Sequence, residues 1–426
     1  MNLNRGKKVG NGTSGTIVIP RKSPILLHPF IIFSLVWLGV IILYSFHLSK
    51  LLLYSTSEAG RVVFYIWMPF ALVALVHVPI RKILAAEYPL HRSTEPIKSS
   101  ILDKQLRVAF RIWMAVTIVE IIVSGGIPIV WLVLGSTKTY RDFGIPSLHG
   151  LVNSFLFTIG LCRFALFLTT SEKRHLRVPA FILIWSILVV TRNMMLVSLI
   201  QFAILFVRLR PIKMSTVFRF AVAIAGFVLL FGAVGDYRSG SSDLIRKWAQ
   251  PTDNYPDWLP SGLLWVYIYA ATPVNNLIYT IEVSPPLNNP LFPNTSATLF
   301  PSVLRGVLYG DQLGEAESGQ LIDATFNVST AYIGPYQDFG LAGIALFSAL
   351  TAFACLQFWH RKDLKSVLIY VVLAQCLILG LFWNQFLSLP IITQIFWLQV
   401  FFRRRSVSKS KVRVDFHNLE NSRATL

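Results

Sequence analysis

The sequence predicts an all-α polytopic membrane protein with about ten transmembrane helices and one large folded loop on the outer face. Three observations support this class. Charged residues make up 14% of the chain and the mean hydropathy is +0.59, whereas soluble domains carry about 25% charged residues. Apolar runs long enough to cross a bilayer recur along the chain. Basic residues gather in short patches between these runs.

The apolar runs give the predicted order of the spans, since a helix needs about 20 apolar residues to cross about 30 Å of hydrocarbon. Runs of this kind lie at 24–46, 61–80, 106–125, 149–170, 177–191, 193–209, 216–235, 340–359, 366–384 and 386–402. The first is too long for a cleavable signal and is expected to be retained. The fifth and sixth are short and meet at Arg192, so we expect a helix pair with a tight turn at the outer surface.

The distribution of Lys and Arg predicts that both termini lie in the cytoplasm. With the N-terminus inside, 29 of the 39 Lys and Arg residues fall in the inner segments 1–23, 81–111, 171–177, 208–219, 361–365 and 403–423. Inner loops of membrane proteins are enriched in these residues. The net charge of +19 is therefore explained by topology, and no nucleic-acid partner is predicted.

Residues 236–339 form the predicted outer loop, between the helices of 24–235 and those of 340–402. The loop holds ten acidic and four basic residues, and its Trp, Tyr and Leu content predicts that it folds. The stretch 259–281 resembles a further span, but counting it would place the basic tail 403–426 outside. We therefore expect a re-entrant or interfacial helix there, broken at Thr272 and Pro273.

The sequence lacks the common signatures of metal and cofactor sites. It has no acidic pair suited to a metal-bound sugar nucleotide, no Walker loop and no His-Glu-x-x-His. Cys162, Cys355 and Cys376 fall within apolar runs, so we expect small buried hydrophobes rather than disulfides. No cofactor and no metal are predicted.

Four basic residues lie on the predicted outer side close to the bilayer, where the positive-inside bias disfavours them. They are Arg192, Arg238, Arg246 and Lys247. An anionic group at headgroup depth, such as a lipid-linked pyrophosphate, is a natural partner because a guanidinium binds phosphate oxygens bidentately. The alternative is that these residues reach lipid phosphates or pair with nearby aspartates.

Three residues could remove a proton at the outer face: Asp142, His149 and Asp338. His149 begins the fourth span, where a histidine is more often structural than catalytic. Asp338 precedes the eighth span and could instead cap that helix. Within the spans, Glu120 lies near the outer end of the third and could face the same cavity. Arg163 lies toward the inner half and could reach the cytoplasmic surface.

Four stretches resemble the Wzy-type O-antigen polymerases, the oligosaccharide repeat-unit polymerases of bacterial envelopes. They are FGIPSLHGL at 143–151, TRNMM at 191–195, GDYRSG at 235–240 and NVSTAYIGPYQDFGLAGI at 327–344, the last being the most specific. The likeness covers residues 60–400 in layout. The outer loop between the fifth and sixth spans is very short here, which departs from relatives that have two large arginine-bearing loops.

The resemblance implies a glycosyltransferase of the bacterial inner membrane, with a fold similar to GT-C-type enzymes. Such an enzyme moves a growing glycan from undecaprenyl pyrophosphate onto a new lipid-linked repeat unit at the outer face. The resemblance further implies that Arg192 and Arg238 hold the pyrophosphate, helped by Arg246 or Lys247. One of the three candidate bases would then deprotonate the acceptor hydroxyl. The implied partners are lipid-linked oligosaccharides, membrane lipids and a chain-length regulator in the membrane.

Further residues in or near these stretches are candidates for substrate binding: Glu120, Arg141, Tyr237, Asn327 and Tyr336. Tyrosines at a membrane surface can stack on sugars, although many belong simply to the interfacial belt.

Three rival functions share parts of this pattern. An O-antigen ligase has the same layout but transfers finished glycan to a lipid core, and the stretch 327–344 favours the polymerase. A lipid-linked oligosaccharide transporter would place charges along several spans, whereas here they cluster at the outer ends. A structural scaffold explains the topology but not the aromatic outer loop.

Overall fold

A computed structural model describes residues 24–87, 99–211, 243–256, 258, 260–310 and 319–403, together with scattered positions between 215 and 229. Within these residues the regular structure is helical, apart from one isolated antiparallel bridge between Ser49 and Pro251. The predicted all-α class is therefore confirmed for the described part of the chain.

The described helices follow the predicted spans. They are α1 (Pro29–Ser45), α2 (Thr56–Glu87), α3 (Ser99–Ser124), α4 (Pro128–Val133), α5 (Leu148–Thr170), α6 (Arg177–Leu188), α7 (Arg192–Leu209), α8 (Asp243–Ala249), α9 (Ser261–Val283), α10 (Pro293–Ser296), α11 (Ser302–Tyr309), α12 (Ile333–Trp359), α13 (Leu364–Leu379) and α14 (Leu389–Phe401). Every predicted span coincides with one of these helices except 216–235, which lies mostly outside the described residues.

Five segments of the described chain are long and apolar enough to cross a bilayer: Thr56–His77, Ser99–Val133, Leu148–Thr170, Arg192–Leu209 and Ile333–Trp359. Helices α1, α13 and α14 are apolar but shorter. Apolar helices of this length satisfy their backbone hydrogen bonds internally, which a bilayer requires. The chain is therefore a helical protein of the membrane-embedded type.

Helix α13 forms the centre of the bundle. Nearly all of Leu364–Leu379 is buried, and α1, α7, α12 and α14 pack around it. A helix that is apolar on every side must be covered on every side. Helix α3 is different, because Ile112, Ile118 and Ile122 remain exposed on it. That exposed apolar face is expected of a helix in contact with lipid.

Helix α9 corrects one prediction. The break expected at Thr272 and Pro273 is absent, since the helix runs without interruption over 23 residues with Pro273 inside it. A proline removes one backbone hydrogen bond, but α9 packs against α1, α2, α8 and α12, and this packing holds the helix together. Helix α9 is also not among the segments apolar enough to cross a bilayer, in line with its exclusion from the predicted spans.

Two adjacent asparagines tie α9 to the loops around it. Asn275 Oδ1 accepts hydrogen bonds from the Tyr44 hydroxyl (2.9 Å) and the Leu53 N–H (3.1 Å). Asn276 Nδ2 donates to the Val328 carbonyl at 2.9 Å. Both asparagines are buried, so these bonds replace those that water would otherwise make.

Arg163 is buried and pairs with Asp103, so it does not reach the cytoplasmic surface as the sequence predicted. Its Nη1 donates to Asp103 Oδ1 and lies 3.1 Å from His175 Nδ1. Burial, and then the nearby Arg163 guanidinium, lower the pKa of His175. Nδ1 of the neutral imidazole can therefore accept a hydrogen bond from Arg163 Nη1. The cluster joins α3, α5 and the turn before α6.

Replacing Asn275 by alanine should lower the free energy of unfolding by about 2–3 kcal/mol, because it removes the hydrogen bonds with the Tyr44 hydroxyl, the Leu53 N–H and the Leu51 carbonyl. Unfolding in detergent micelles measures this. Asn193→Ala is the matched control, since Asn193 is exposed and should cost less than about 0.5 kcal/mol. Equal losses in the two variants would contradict the anchoring role of Asn275.

Candidate functional site

One end of the bundle gathers most of the predicted site residues. Helix α3 ends there at Ser124, and α5, α7 and α14 begin there at Leu148, Arg192 and Leu389. We call it the outer end, since the distribution of Lys and Arg predicts that it faces away from the cytoplasm.

Glu120 and His149 form a hydrogen-bonded pair at the outer end. The Glu120 side chain on α3 is 0% exposed, and its two carboxylate oxygens lie 3.2 and 3.3 Å from His149 Nδ1. The His149 side chain on α5 remains 27% exposed. The pair therefore combines a buried acidic partner with an accessible imidazole.

The neighbours of His149 define which ring nitrogen carries the proton. In the neutral imidazole that donates from Nδ1 to the Glu120 carboxylate, Nε2 is the acceptor. Asn153, one turn along α5, places its amide nitrogen 2.9 Å from Nε2. An imidazole that is oriented by a carboxylate at Nδ1 and accepts at Nε2 has the arrangement of a general base.

The loop before α5 fits closely around His149. Gly144 has a φ of +91°, and a Cβ at this position would lie 2.6 Å from His149 Cγ. The Gly144 N–H donates to Ser124 Oγ at 2.8 Å, which fixes the loop to the end of α3. The Phe143 ring meets the imidazole edge to face, with 5.2 Å between centroids. A side chain at position 144 would displace the imidazole, so glycine is required there.

Asp142 is exposed and has a local structural role. Its Oδ2 accepts hydrogen bonds from the Thr139 N–H (2.7 Å) and hydroxyl (3.0 Å) as part of a capping box. The hydrogen bond from the Thr139 backbone, with that from its hydroxyl, holds the pKa of Asp142 below its usual value. A lowered pKa makes a carboxylate a weaker base, so the geometry favours His149 over Asp142.

Asp338 is fully buried and accepts four hydrogen bonds. The N–H and Nδ2 of Asn294 reach Oδ1 at 3.1 and 2.9 Å, and the N–H and hydroxyl of Thr295 reach Oδ2 at 2.8 and 2.6 Å. Asp338 therefore caps α10, whereas the sequence predicted a cap on its own helix. It lies inside α12, just before non-helical backbone at Phe339 and Gly340. A carboxylate held in this way is poorly placed to accept a substrate proton.

The contact between α10 and α12 extends to the segment that links α13 and α14. A Cβ at Gly334 would lie 2.6 Å from the Asn294 carbonyl oxygen, so only glycine allows this approach. Asn384 Nδ2 donates to the Thr295 carbonyl at 3.1 Å. We call this meeting of three chain segments around Asp338 the Asp338 junction.

The other predicted substrate-binding residues lie in different environments. Tyr336 is buried, and its hydroxyl donates to the Ile281 and Ser284 carbonyls at 2.9 and 3.1 Å, so it serves the packing of α9 against α12. Asn327 and Arg141 are exposed, each in a loop.

The predicted pyrophosphate-binding residues fall on two parts of the molecule. Arg192 is exposed at the first position of α7, a helix that packs against α5, where His149 lies. Arg246 and Lys247 lie on α8, which packs on α9 and continues into Gln250, whose carbonyl accepts from the Lys50 N–H at 2.9 Å. Arg238 and Tyr237 lie outside the described residues.

A network of four buried glutamines joins α7, α13 and α14. Gln201 and Gln394 exchange amide hydrogen bonds at 2.9 and 3.1 Å, and Gln201 also donates to Gln375 at 3.2 Å. Gln375 in turn bonds Gln385. No motif marks this network in the sequence, and only the presence of amides within apolar runs could have indicated it. Asn153 was equally unmarked, although its spacing of four residues from His149 places both on one helix face.

No group of three or more His, Cys, Asp or Glu side chains that could hold a metal ion occurs within the described residues. Comparison with known proteins gives no further assignment: no family model, no curated protein and no solved structure matches the chain.

A double-mutant cycle should detect the Glu120–His149 pair. Glu120→Gln and His149→Ala together should destabilise the protein by less than the sum of the single effects, with a coupling of about 1 kcal/mol or more. The reason is that His149→Ala leaves a charged carboxylate buried, and Glu120→Gln relieves that cost. Unfolding of the four proteins in detergent micelles gives the coupling.

The matched control pairs His149→Ala with Asp142→Asn, because Asp142 accepts its hydrogen bonds from Thr139. That cycle should be additive within about 0.5 kcal/mol. Additivity in the Glu120 cycle as well would mean that the two side chains do not interact.

Proposed function

We propose that this chain is a membrane glycosyltransferase that polymerises undecaprenyl-pyrophosphate-linked oligosaccharide repeat units into a surface polysaccharide such as O-antigen or capsule. It would act at the outer face of the bacterial inner membrane. The observation that carries the proposal is the Glu120–His149 pair, which gives an accessible imidazole a buried acidic partner at the outer end. The four stretches that resemble O-antigen polymerases support the substrate class.

In the proposed step, the acceptor hydroxyl of a new lipid-linked repeat unit displaces the Asn153 amide from His149 Nε2, and Nε2 then accepts the hydroxyl proton. The freed oxygen attacks the anomeric carbon of the growing glycan and forms a new C–O bond. The bond to undecaprenyl pyrophosphate breaks, and the pyrophosphate leaves with the electron pair. Glu120 stabilises the imidazolium that forms. A positioned base of this kind contributes a factor of about 10² to 10⁴ in rate.

The departing pyrophosphate requires positive charge. Arg192 supplies it from the start of α7, and Arg238 joins it, with Arg246 or Lys247 assisting. Guanidinium groups keep their charge and bind phosphate oxygens bidentately. Preorganised stabilisation of a leaving group contributes a factor of about 10² to 10³ per group.

The proposal requires ten spans, with both termini in the cytoplasm and the outer end in the periplasm. Helices α1, α6, α13 and α14 would cross the bilayer although they are short. Their flanking residues, among them Ile25, Leu26 and Phe402, would complete the apolar length. Segment 216–235 would supply the seventh span.

Cysteine labelling tests this topology. In intact spheroplasts, a membrane-impermeant maleimide should label Ser136→Cys and should label Lys173→Cys only after the membrane is opened. Ser136 and Lys173 are exposed at opposite ends of the bundle, and the three native cysteines are buried and should give little background. Labelling of Lys173→Cys in intact spheroplasts would mean that the orientation is the reverse of the proposed one, and it would overturn the proposed site.

Polymerisation by the purified protein tests the function. The protein in nanodiscs, supplied with the authentic undecaprenyl-pyrophosphate-linked repeat unit, should form a ladder of products on a gel. His149→Ala should slow ladder formation by about 10² or more, because it removes the base. Glu120→Gln, Arg192→Ala and Arg238→Ala should also slow it. Arg61→Ala is the matched control for Arg192→Ala, since Arg61 is an exposed arginine on α2 at the same end.

The products distinguish the rival functions. A ligase would give no ladder but would attach glycan to an added lipid-core acceptor. A transporter would give neither product. A ladder formed at the full rate by the His149→Ala variant would show that His149 is not the base. The proposed polymerase function would still stand.

A further inference from the structure

A cavity of about 500 Å³ opens at the end of the bundle opposite the Glu120–His149 pair. It lies between the start of α13 and the end of α14. Its walls are formed by Lys365, Phe396, Gln399, Val400, Phe402 and Arg403. None of these residues belongs to the proposed catalytic site.

The cavity arises from the way α14 packs. Leu398 is buried, and Gln394 is held by Gln201, so one face of α14 faces the bundle. Phe396, Gln399 and Val400 repeat at helical spacing and share another face of α14. Phe396 is 53% exposed and Val400 is 43% exposed. This face is therefore left uncovered within the described part of the chain.

The cavity has cationic side chains at its mouth and apolar side chains deeper along α14, which matches the headgroup and acyl chains of a phospholipid. Lys365 stands at the first turn of α13 and Arg403 just beyond α14, so two cations lie at the same end of the bundle. Phe396 and Val400 lie one to two turns deeper along α14 and offer an apolar wall. Asp363, two residues before Lys365, caps α13, because its Oδ1 accepts from the Ser366 N–H at 3.0 Å.

This arrangement selects among possible occupants. A zwitterionic lipid carries its own cation beside its phosphate and would bring a third positive charge to Lys365 and Arg403. A small soluble anion would leave the apolar wall exposed. An anionic phospholipid satisfies both, because its phosphate can pair with Lys365 and Arg403 while an acyl chain covers Phe396 and Val400. Basic clusters at the cytoplasmic end of a helix are typical sites for such headgroups.

We propose that the cavity between α13 and α14 binds one anionic phospholipid of the leaflet at this end of the bundle. By the predicted topology this is the cytoplasmic leaflet. The proposal is independent of the glycosyltransferase activity. The lipid would join α13 and α14 at the end where the cavity separates them, as the glutamine network joins them elsewhere along their length. Its binding would stabilise the folded state by mass action.

Native mass spectrometry of the full chain tests the proposal. Purified protein in a neutral detergent is titrated with phosphatidylglycerol and, separately, with phosphatidylcholine of the same acyl chains. Wild type should bind one phosphatidylglycerol at least about tenfold more tightly than phosphatidylcholine. The Lys365→Gln/Arg403→Gln protein should lose this preference. Arg361→Gln/Lys362→Gln is the matched control, since these exposed residues lie at the same end but outside the cavity, and it should bind as wild type does.

Val400→Trp provides a second test that leaves both cations in place. The indole should fill the apolar part of the cavity and weaken phosphatidylglycerol binding. Inorganic phosphate at millimolar concentration should compete weakly with the lipid, since it lacks acyl chains. Two results would overturn the proposal: equal binding of the two lipids by wild type, or unchanged phosphatidylglycerol binding in both the Lys365/Arg403 and Val400 variants. Displacement of the lipid by phosphate alone at low concentration would identify the site as one for a soluble anion instead.

Discussion

Polar groups inside this bundle must find their partners within the chain, and much of the described structure follows from this constraint. A bilayer offers no water to a buried amide or carboxylate, and an unsatisfied group there costs several kcal/mol. Asn275 and Asn276 on α9, the Asp103–Arg163 pair and the glutamine network each meet this demand with groups from other helices or from loops. The helices are therefore held by a small number of polar contacts as well as by apolar packing.

The apolar helices could be predicted from the sequence because apolar length is a local property. Nine of the ten predicted runs coincide with helices in the described residues, and their ends differ by a few residues because caps and turns shift them. Pro273 shows where a local rule fails. A proline breaks an isolated helix, but packing against α1, α2, α8 and α12 keeps α9 continuous.

The site was less predictable, since its contacts join distant parts of the chain. The sequence placed both Glu120 and His149 near the outer surface, but their pairing depends on how α3 and α5 rotate against each other, which no local pattern encodes. The same limit applies to Asp338, whose partners Asn294 and Thr295 lie more than 40 residues earlier in the sequence. Among the three candidate bases, His149 is the one whose side chain is both oriented by a neighbour and partly exposed. Asp142 is held by Thr139, and Asp338 is buried.

The Asp338 junction also constrains how the protein is made. Its three segments are residues 293–298, 334–340 and 384–387. The third segment, which includes Asn384, is the last to leave the ribosome. During synthesis, Asp338 can find its α10 donors once α12 has emerged, but the Thr295 carbonyl receives its bond from Asn384 only when α13 has been inserted. The outer segments are thus locked in place late, after the central helix of the bundle is in the membrane. A chain that stops before α13 would leave this side of the protein open, and such a product would present itself to quality-control proteases at the membrane surface.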